Sequence, residues 1–236
     1  MSEINKSRMF DLVKDTWNPL GGKCYHNCNY CWSMGEKGLV KRYDMKKYKG
    51  PPRLIEGAFK KKFKPNTLVF VCDMCDLFAN WIPSGWIRRV IDYTKRFPKT
   101  WFLFLTKNPM RYLEFKFPPN AILGSTIETD MASFNTPSAI KNYTEISNAP
   151  LPASRIKPMI ELTHAYKMLS LEPILDFSIS FPVSLRLIEP KFVYIGYDNY
   201  GYKLPEPPLN KADMLVSELR KFTTVYWKTR RKAWWE

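Results

Sequence analysis

Six short runs of β-forming residues recur along this chain, Thr67–Cys72, Trp101–Leu105, Ala121–Thr126, Met168–Pro173, Phe192–Tyr197 and Thr223–Trp227, with amphipathic or polar stretches between them. Several are apolar at nearly every position, so neither face can be left in water, which suits parallel strands covered on both sides. The intervening stretches carry helical periodicity. Ser84–Phe97 places Trp86, Ile87, Val90 and Ile91 on one stripe. Ser154–Tyr166 stripes Ile156, Met159, Ile160 and Thr163, with Pro158 confined to the first turn. Asn210–Phe222 is predicted to start at an Asn210 N-cap, with Asp213 three residues on and Leu215, Leu219 and Phe222 inward. A short strand near Asp15–Asn18 comes first. Strand alternating with helix is the pattern of a parallel α/β sheet or barrel, and about six or seven strands are too few to close an eight-stranded one. The expected fold is α/β, a partial, open (β/α)6-type barrel of mainly parallel strands, with its active site at the C-terminal strand ends. A single domain over residues 1–236 suits this length.

Residues 32–66 break the alternation. Eleven Lys or Arg fall between Lys37 and Lys64 around Gly50-Pro51-Pro52, so the segment reads as a basic excursion between the first two strands. The tail at 220–236 is also basic, with Trp227, Trp234 and Trp235 interleaved. The chain has 37 Lys plus Arg against 22 Asp plus Glu, a net charge of +15. That excess favours a polyanionic partner, nucleic acid first; a solvated lysine-rich surface is the plain alternative. Tyr43, Tyr48 and Phe59 among the excursion's lysines suit a groove that tracks a backbone and stacks bases. No sequence-reading motif accompanies them, so the charge argues for backbone contact. The apolar runs are too short to span a membrane and residues 1–12 carry no apolar signal core, which points to a cytoplasmic protein.

Five cysteines are an odd number, and three of them fall within eight residues, Cys24, Cys28 and Cys31, after Gly21-Gly22. A disulfide framework does not look like this. A compact C-x3-C-x2-C loop can bring three thiolates onto three irons of a [4Fe–4S] cubane and leave the fourth iron without a protein ligand. The alternative is zinc, with His26 or the Cys72/Cys75 pair as a fourth ligand, although zinc sites usually pair C-x2–4-C units instead of setting a triplet on one loop.

With Tyr30 just before its third cysteine, the loop resembles that of the radical S-adenosylmethionine (SAM) superfamily. The segments TWNP, CDMCDLF, FLTKNP, GSTIET and SLEPIL are similar to an uncharacterised phage- and prokaryote-associated branch related to spore photoproduct lyase. The resemblance implies a cluster that reductively cleaves SAM to a 5′-deoxyadenosyl radical, with reduced flavodoxin or ferredoxin as electron donor. It also implies cofactor-binding roles at successive strand ends. Asp73 or Asp76 stands where the superfamily usually has a Gly-Gly-Glu turn holding the SAM amino group, a departure from the pattern. Lys107 would pair with the methionine carboxylate, and Ser125, Thr126 and Glu128 would face the ribose hydroxyls. Tyr30 completes the cofactor set.

Cys75, Glu172 and Tyr197 are candidates for the chemistry itself. Cys75 would face the active site, Glu172 would bind substrate or SAM, and Tyr197 would lie against adenine or substrate. A second four-cysteine cluster lacks the thiols it would need, and Cys72 reads as a buried strand residue. Lys228 and Arg230 are within reach of a phosphate or are plain surface charge, and His164 reads as structural. The resulting reading is a radical SAM enzyme acting on a nucleic acid or nucleotide. Two alternatives stay open: the same chemistry on a small molecule or peptide, and a non-catalytic zinc-containing nucleic-acid-binding module.

Overall fold

The computed structural model describes residues 10–135 and 140–236. The polar stretch 1–9, read above for a targeting signal, lies outside the described residues. In chain order the strands are β1 Asp15–Trp17, β2 Leu20–Gly21, β3 Arg53–Leu54, β4 Leu68–Val71, β5 Trp101–Thr106, β6 Ala121–Thr126, β7 Ser133–Asn135, β8 Ile140–Asn142, β9 Lys167–Leu171, β10 Phe192–Ile195 and β11 Thr224–Trp227. The helices are α1 Leu39–Arg42, α2 Ser84–Thr94, α3 Ile156–Glu161, α4 Phe181–Leu187 and α5 Leu209–Leu219.

Seven strands form one open sheet in the order β1-β4-β5-β6-β9-β10-β11, and every pairing in it is parallel. Because spatial order follows chain order, right-handed crossovers all return on the same face. Val69, Val71, Phe102, Phe104, Leu123, Leu169, Leu171, Val193 and Ile195 bury that face against Ile87 and Val90 of α2, Met159 of α3, Leu185 of α4 and Leu215 of α5. Phe70, Leu103, Ile122, Met168 and Tyr194 line the opposite face, where Phe10 and Val13 cover them. This is the open α/β architecture expected from the apolar runs. No helix among the described residues is long and apolar enough to cross a membrane.

Several boundaries differ from the sequence expectation, for local reasons. β4 stops at Val71 because Cys72 takes a left-handed backbone, φ 57°, which turns the chain. The helix expected over 154–166 becomes a 3-10 turn, Pro152–Arg155, followed by α3. α3 ends early where the Lys167 ammonium donates to the carbonyls of Met159 (3.2 Å) and Leu162 (3.3 Å), the groups a longer helix would have consumed. α5 begins before Asn210, with Pro208 at its N-cap; the Asn210 carboxamide accepts the next N–H, of Lys211, at 2.7 Å. The short α4 and the β7–β8 hairpin have no strong periodic signature and were not expected.

The basic excursion is folded. β3 pairs antiparallel with β2, and short helical turns flank it. It closes on the entry to the cysteine loop: Gly22 N–H donates to Lys47 O (3.0 Å) and Lys23 N–H to Gly50 O (2.9 Å). Gly22 has φ 89°, and a Cβ there would sit 2.2 Å from the Pro51 carbonyl oxygen. Gly22→Ala is therefore expected to destabilise the chain by about 1–3 kcal/mol and open the 47–53 segment to protease, read by urea denaturation and limited proteolysis. Gly57→Ala, at a position with nothing within 4 Å, is the neutral control.

Candidate active site

Parallel strands place all their C-terminal ends on one edge. Along it follow Cys72–Asp76 after β4, Lys107 after β5, Glu128 beyond β6, Glu172 after β9, Gly196 after β10 and Lys228 after β11. The cysteine loop folds over the β4–β6 part of this edge.

Two of its three sulfurs have hydrogen-bond partners. Cys28 is buried, with its sulfur 3.0 Å from Ser147 Oγ. Cys31 Sγ accepts Met34 N–H at 3.3 Å. The thiols also feel one another electrostatically, Cys24 with Cys28 and Cys28 with Cys31. Burial, the Asp76 carboxylate and Cys28 push the Cys24 thiol well up; burial likewise raises Cys28, against the pull of the Lys107 ammonium. Such thiols hold their protons until a cation displaces them. Among the described residues no three His, Cys, Asp or Glu side chains converge as a single-ion site. Three cysteines on one loop, two of them with hydrogen-bonded sulfurs, fit a group that takes one thiolate per iron.

Beside the loop lies a buried charge array. Glu128, fully enclosed, accepts from Tyr30 OH, Lys107 Nζ and Tyr143 OH (3.0 Å) on Oε1, and from Arg155 Nη1 (2.7 Å) on Oε2. Arg155 is itself buried, its second Nη reaching Tyr143 OH at 2.8 Å. Lys107 also donates to Tyr30 OH at 2.8 Å. Burial disfavours the Glu128 carboxylate, yet Arg155 and Lys107 outweigh it and hold Glu128 far below the usual carboxylate range. Burial alone would lower Lys107, but Glu128 holds it at about 12. Two cations against one anion leave the array net positive.

A second network braces the loop. His26, buried, pairs through Nε2 with Asp76 Oδ2 at 2.9 Å, and its ring meets Trp81 edge-on. Asp76 also accepts from Thr106 OH (2.7 Å), Phe78 N–H (2.9 Å) and Lys107 N–H (2.9 Å). Burial opposes its ionisation, but the His26 bond and these donors keep its carboxyl below the normal range.

The structure thus brings Cys24, Cys28, Cys31, Tyr30, Asp76, Lys107 and Glu128 together. Other sequence candidates lie elsewhere. Ser125 pairs in register with Leu169 on the helix-covered face, where its hydroxyl meets Thr106 O at 3.3 Å. Asp73 accepts from the Asn18 carboxamide, and burial raises its pKa. The neighbouring Cys72 and burial raise the Cys75 thiol, whose sulfur lies 3.9 Å from Leu20 O. Glu172 pairs with Lys228 at 2.8 Å farther along the edge. Tyr197 is buried, stacked parallel to Trp227, with its hydroxyl on Pro207 O at 3.1 Å. His164 bonds the Ala121 carbonyl at 2.7 Å. In the tail, Arg230 pairs with Asp213 and Arg231 with Glu206, while the Trp234 and Trp235 indoles donate to the carbonyls of Leu204 and Glu206. Sequence reasoning missed Tyr143, Ser147 and Arg155. The Asn142–Glu145 capping box is the one local signal near them.

The fold is similar to that of a spore photoproduct lyase. A solved structure of a spore photoproduct lyase double mutant with bound AdoMet and dinucleoside spore photoproduct aligns over 92% of this chain and 76% of its own, with a TM-score of 0.56 and 11% identity. No match is found among curated proteins. A family model does match, over residues 8–195, and by that match the chain belongs to the DUF5131 family, described as a protein of unknown function.

Proposed function

We propose that this chain is a radical SAM enzyme acting on nucleic acid or a nucleotide derived from it. The observation that carries the reading is the cysteine loop, which sets Cys24, Cys28 and Cys31 at the C-terminal edge of a parallel sheet, next to a net-positive array, with hydrogen-bond partners at the Cys28 and Cys31 sulfurs. Cys24, Cys28 and Cys31 would hold a [4Fe–4S] cluster, which would supply the one electron needed for reductive cleavage of SAM and so the radical chemistry of hydrogen abstraction from substrate.

The chain's own residues divide the remaining work. An ammonium has three donors; Lys107 spends two, on Glu128 and Tyr30, and keeps one for an incoming carboxylate such as that of methionine. Glu128 has four donors on its two oxygens, so it positions Lys107 and leaves the ribose to other groups. Tyr30 ties the cysteine loop to the same carboxylate. His26–Asp76 and Trp81 close the loop's other side against water.

The charge of the basic excursion supports nucleic acid as substrate class, but of its three aromatics Tyr48 is buried and Phe59 packs on Trp17 and Tyr93, which leaves Tyr43 as the exposed ring. The excursion flanks the loop on both sides, through β3, which pairs with β2 at the loop's entry, and through α1 at its exit, where Leu39 N–H and Val40 N–H bond to Trp32 O and Ser33 O. Exposed Lys37 lies 5.0 Å over the Tyr202 ring, a cation beside a stacking face. Reduced flavodoxin or ferredoxin would donate the electron.

The test is anaerobic reconstitution, iron and sulfide counting, and an assay for 5′-deoxyadenosine after reduction with SAM. Substrate class is tested by fluorescence anisotropy with mixed-sequence single- and double-stranded oligonucleotides. If about four phosphates are neutralised, affinity falls about 100-fold between 50 and 200 mM salt. An absence of binding at 50 mM would leave a small molecule or peptide as the substrate.

A further inference from the structure

We propose that Ser147 sets the reduction potential of the cluster by donating a hydrogen bond to the Cys28 sulfur. The proposal rests on the cluster reading above. Ser147 is buried and its Oγ lies 3.0 Å from Cys28 Sγ. A thiolate has no proton to give, so with iron bound the hydroxyl is the donor. Its other contacts leave it free for that role. Ala149 N–H donates to Oγ at 3.1 Å, using a lone pair, and the competing acceptor, His26 O, is farther away at 3.4 Å.

The backbone on either side of Ser147 is pinned to the cysteine loop. Asn29 N–H donates to Ile146 O at 2.9 Å, and Asn148 N–H to His26 O at 2.7 Å. Residues 146–149 therefore form a strap that bridges the loop and carries the hydroxyl over its middle thiol. The donor to Cys31 is a backbone N–H group, that of Met34. Ser147 is the side-chain donor to a ligand sulfur among the described residues, so a single substitution removes it without touching the backbone. A hydrogen bond to a ligating sulfur draws off electron density and favours the reduced, more negative cluster. Ser147 would act through Cys28, as a positioning and tuning residue.

The experiment uses the full chain reconstituted anaerobically, with iron and sulfide counted in the wild type before any variant is read. Ser147→Ala and Ser147→Thr are then compared with it by EPR-monitored redox titration and by resonance Raman spectroscopy in H2O and D2O. All three are expected to hold about four irons. The Ser147→Ala midpoint should be more negative and the Ser147→Thr midpoint close to wild type. The Fe–S(Cys) bands should rise in Ser147→Ala and lose part of their deuterium sensitivity. Equal midpoints in loaded wild type and Ser147→Ala overturn the proposal. A folded Ser147→Ala chain that takes up no iron overturns it too, since the hydroxyl would then build the loop and not tune it. A wild-type chain that takes up no iron sinks the cluster reading itself, and that result is known before the variants are made.

Discussion

Replacing Glu128 with leucine is expected to destabilise the fold by about 3–5 kcal/mol, measured as a lowered urea midpoint at unchanged slope. The carboxylate has no water to fall back on, and neither do its partners. Arg155 is wholly enclosed and the Lys107 side chain is 15% exposed, so removing Glu128 leaves two buried cations facing each other and the Tyr30 and Tyr143 hydroxyls without their acceptor. A loss below about 1 kcal/mol would show that the array is far better hydrated than its enclosure implies. Glu128→Gln, which keeps the shape and one acceptor oxygen, should lose less.

The same array makes stability depend on pH at both ends. Glu128 has its folded value depressed below the unfolded carboxylate, about 4.3, so its contribution is complete above that pH and is lost as pH falls through the folded value. Lys107 is raised to about 12 from an unfolded value near 10.4, so its contribution is complete below about pH 10.4 and is lost as pH rises through 12. The deficit of the Glu128→Leu variant relative to wild type should accordingly shrink in strong acid.

Cys28→Ala is expected to reduce iron from about four per chain to background and to abolish 5′-deoxyadenosine formation in the reconstituted protein. Cys28 is the middle and most enclosed ligand of the three, packed among Tyr30, Phe134, Tyr143, Ile146 and Leu175. Cys28→Ser, which keeps the volume but offers a poor iron ligand, separates loss of ligation from loss of packing: it should melt near wild type and still lack iron. Cys75→Ser is the contrasting case, since Cys75 is turned toward Cys72 and Leu20, and it should retain the iron. Full iron in Cys28→Ala would take the loop out of the cluster's ligand set.

The strands and the cysteine loop were legible because their signals are local. Leu68–Val71 and Phe102–Phe104 are apolar at every position, and only a strand covered on both faces accepts that. The spacing of Cys24, Cys28 and Cys31 is written within eight residues. Lys107 and Glu128 were picked out through the family resemblance, at strand ends that a parallel sheet delivers to one edge. Ser125 shows where that reasoning weakens, since one residue along a strand exchanges the open face for the helix-covered one. Arg155 shows a different limit. It stands among polar residues at the start of a short helix and looks solvent-facing, and only Glu128, 27 positions earlier in the chain, makes its burial tolerable. The charges of the tail likewise read as free until Asp213 and Glu206 are seen to neutralise two of them.

The strap over the cysteine loop also imposes a timetable. Ser147 lies 119 residues after Cys28, so at a synthesis rate of about 5–20 residues per second the three thiols emerge roughly 6–24 s before their clamp exists. During that interval the loop is an open set of thiols, exposed to oxidants and to whichever soft metal is most abundant. Loading iron onto the finished chain, after the strap has closed, should therefore be the cleaner route to a homogeneous protein, and expression under low oxygen should matter most in the first seconds of each chain's life.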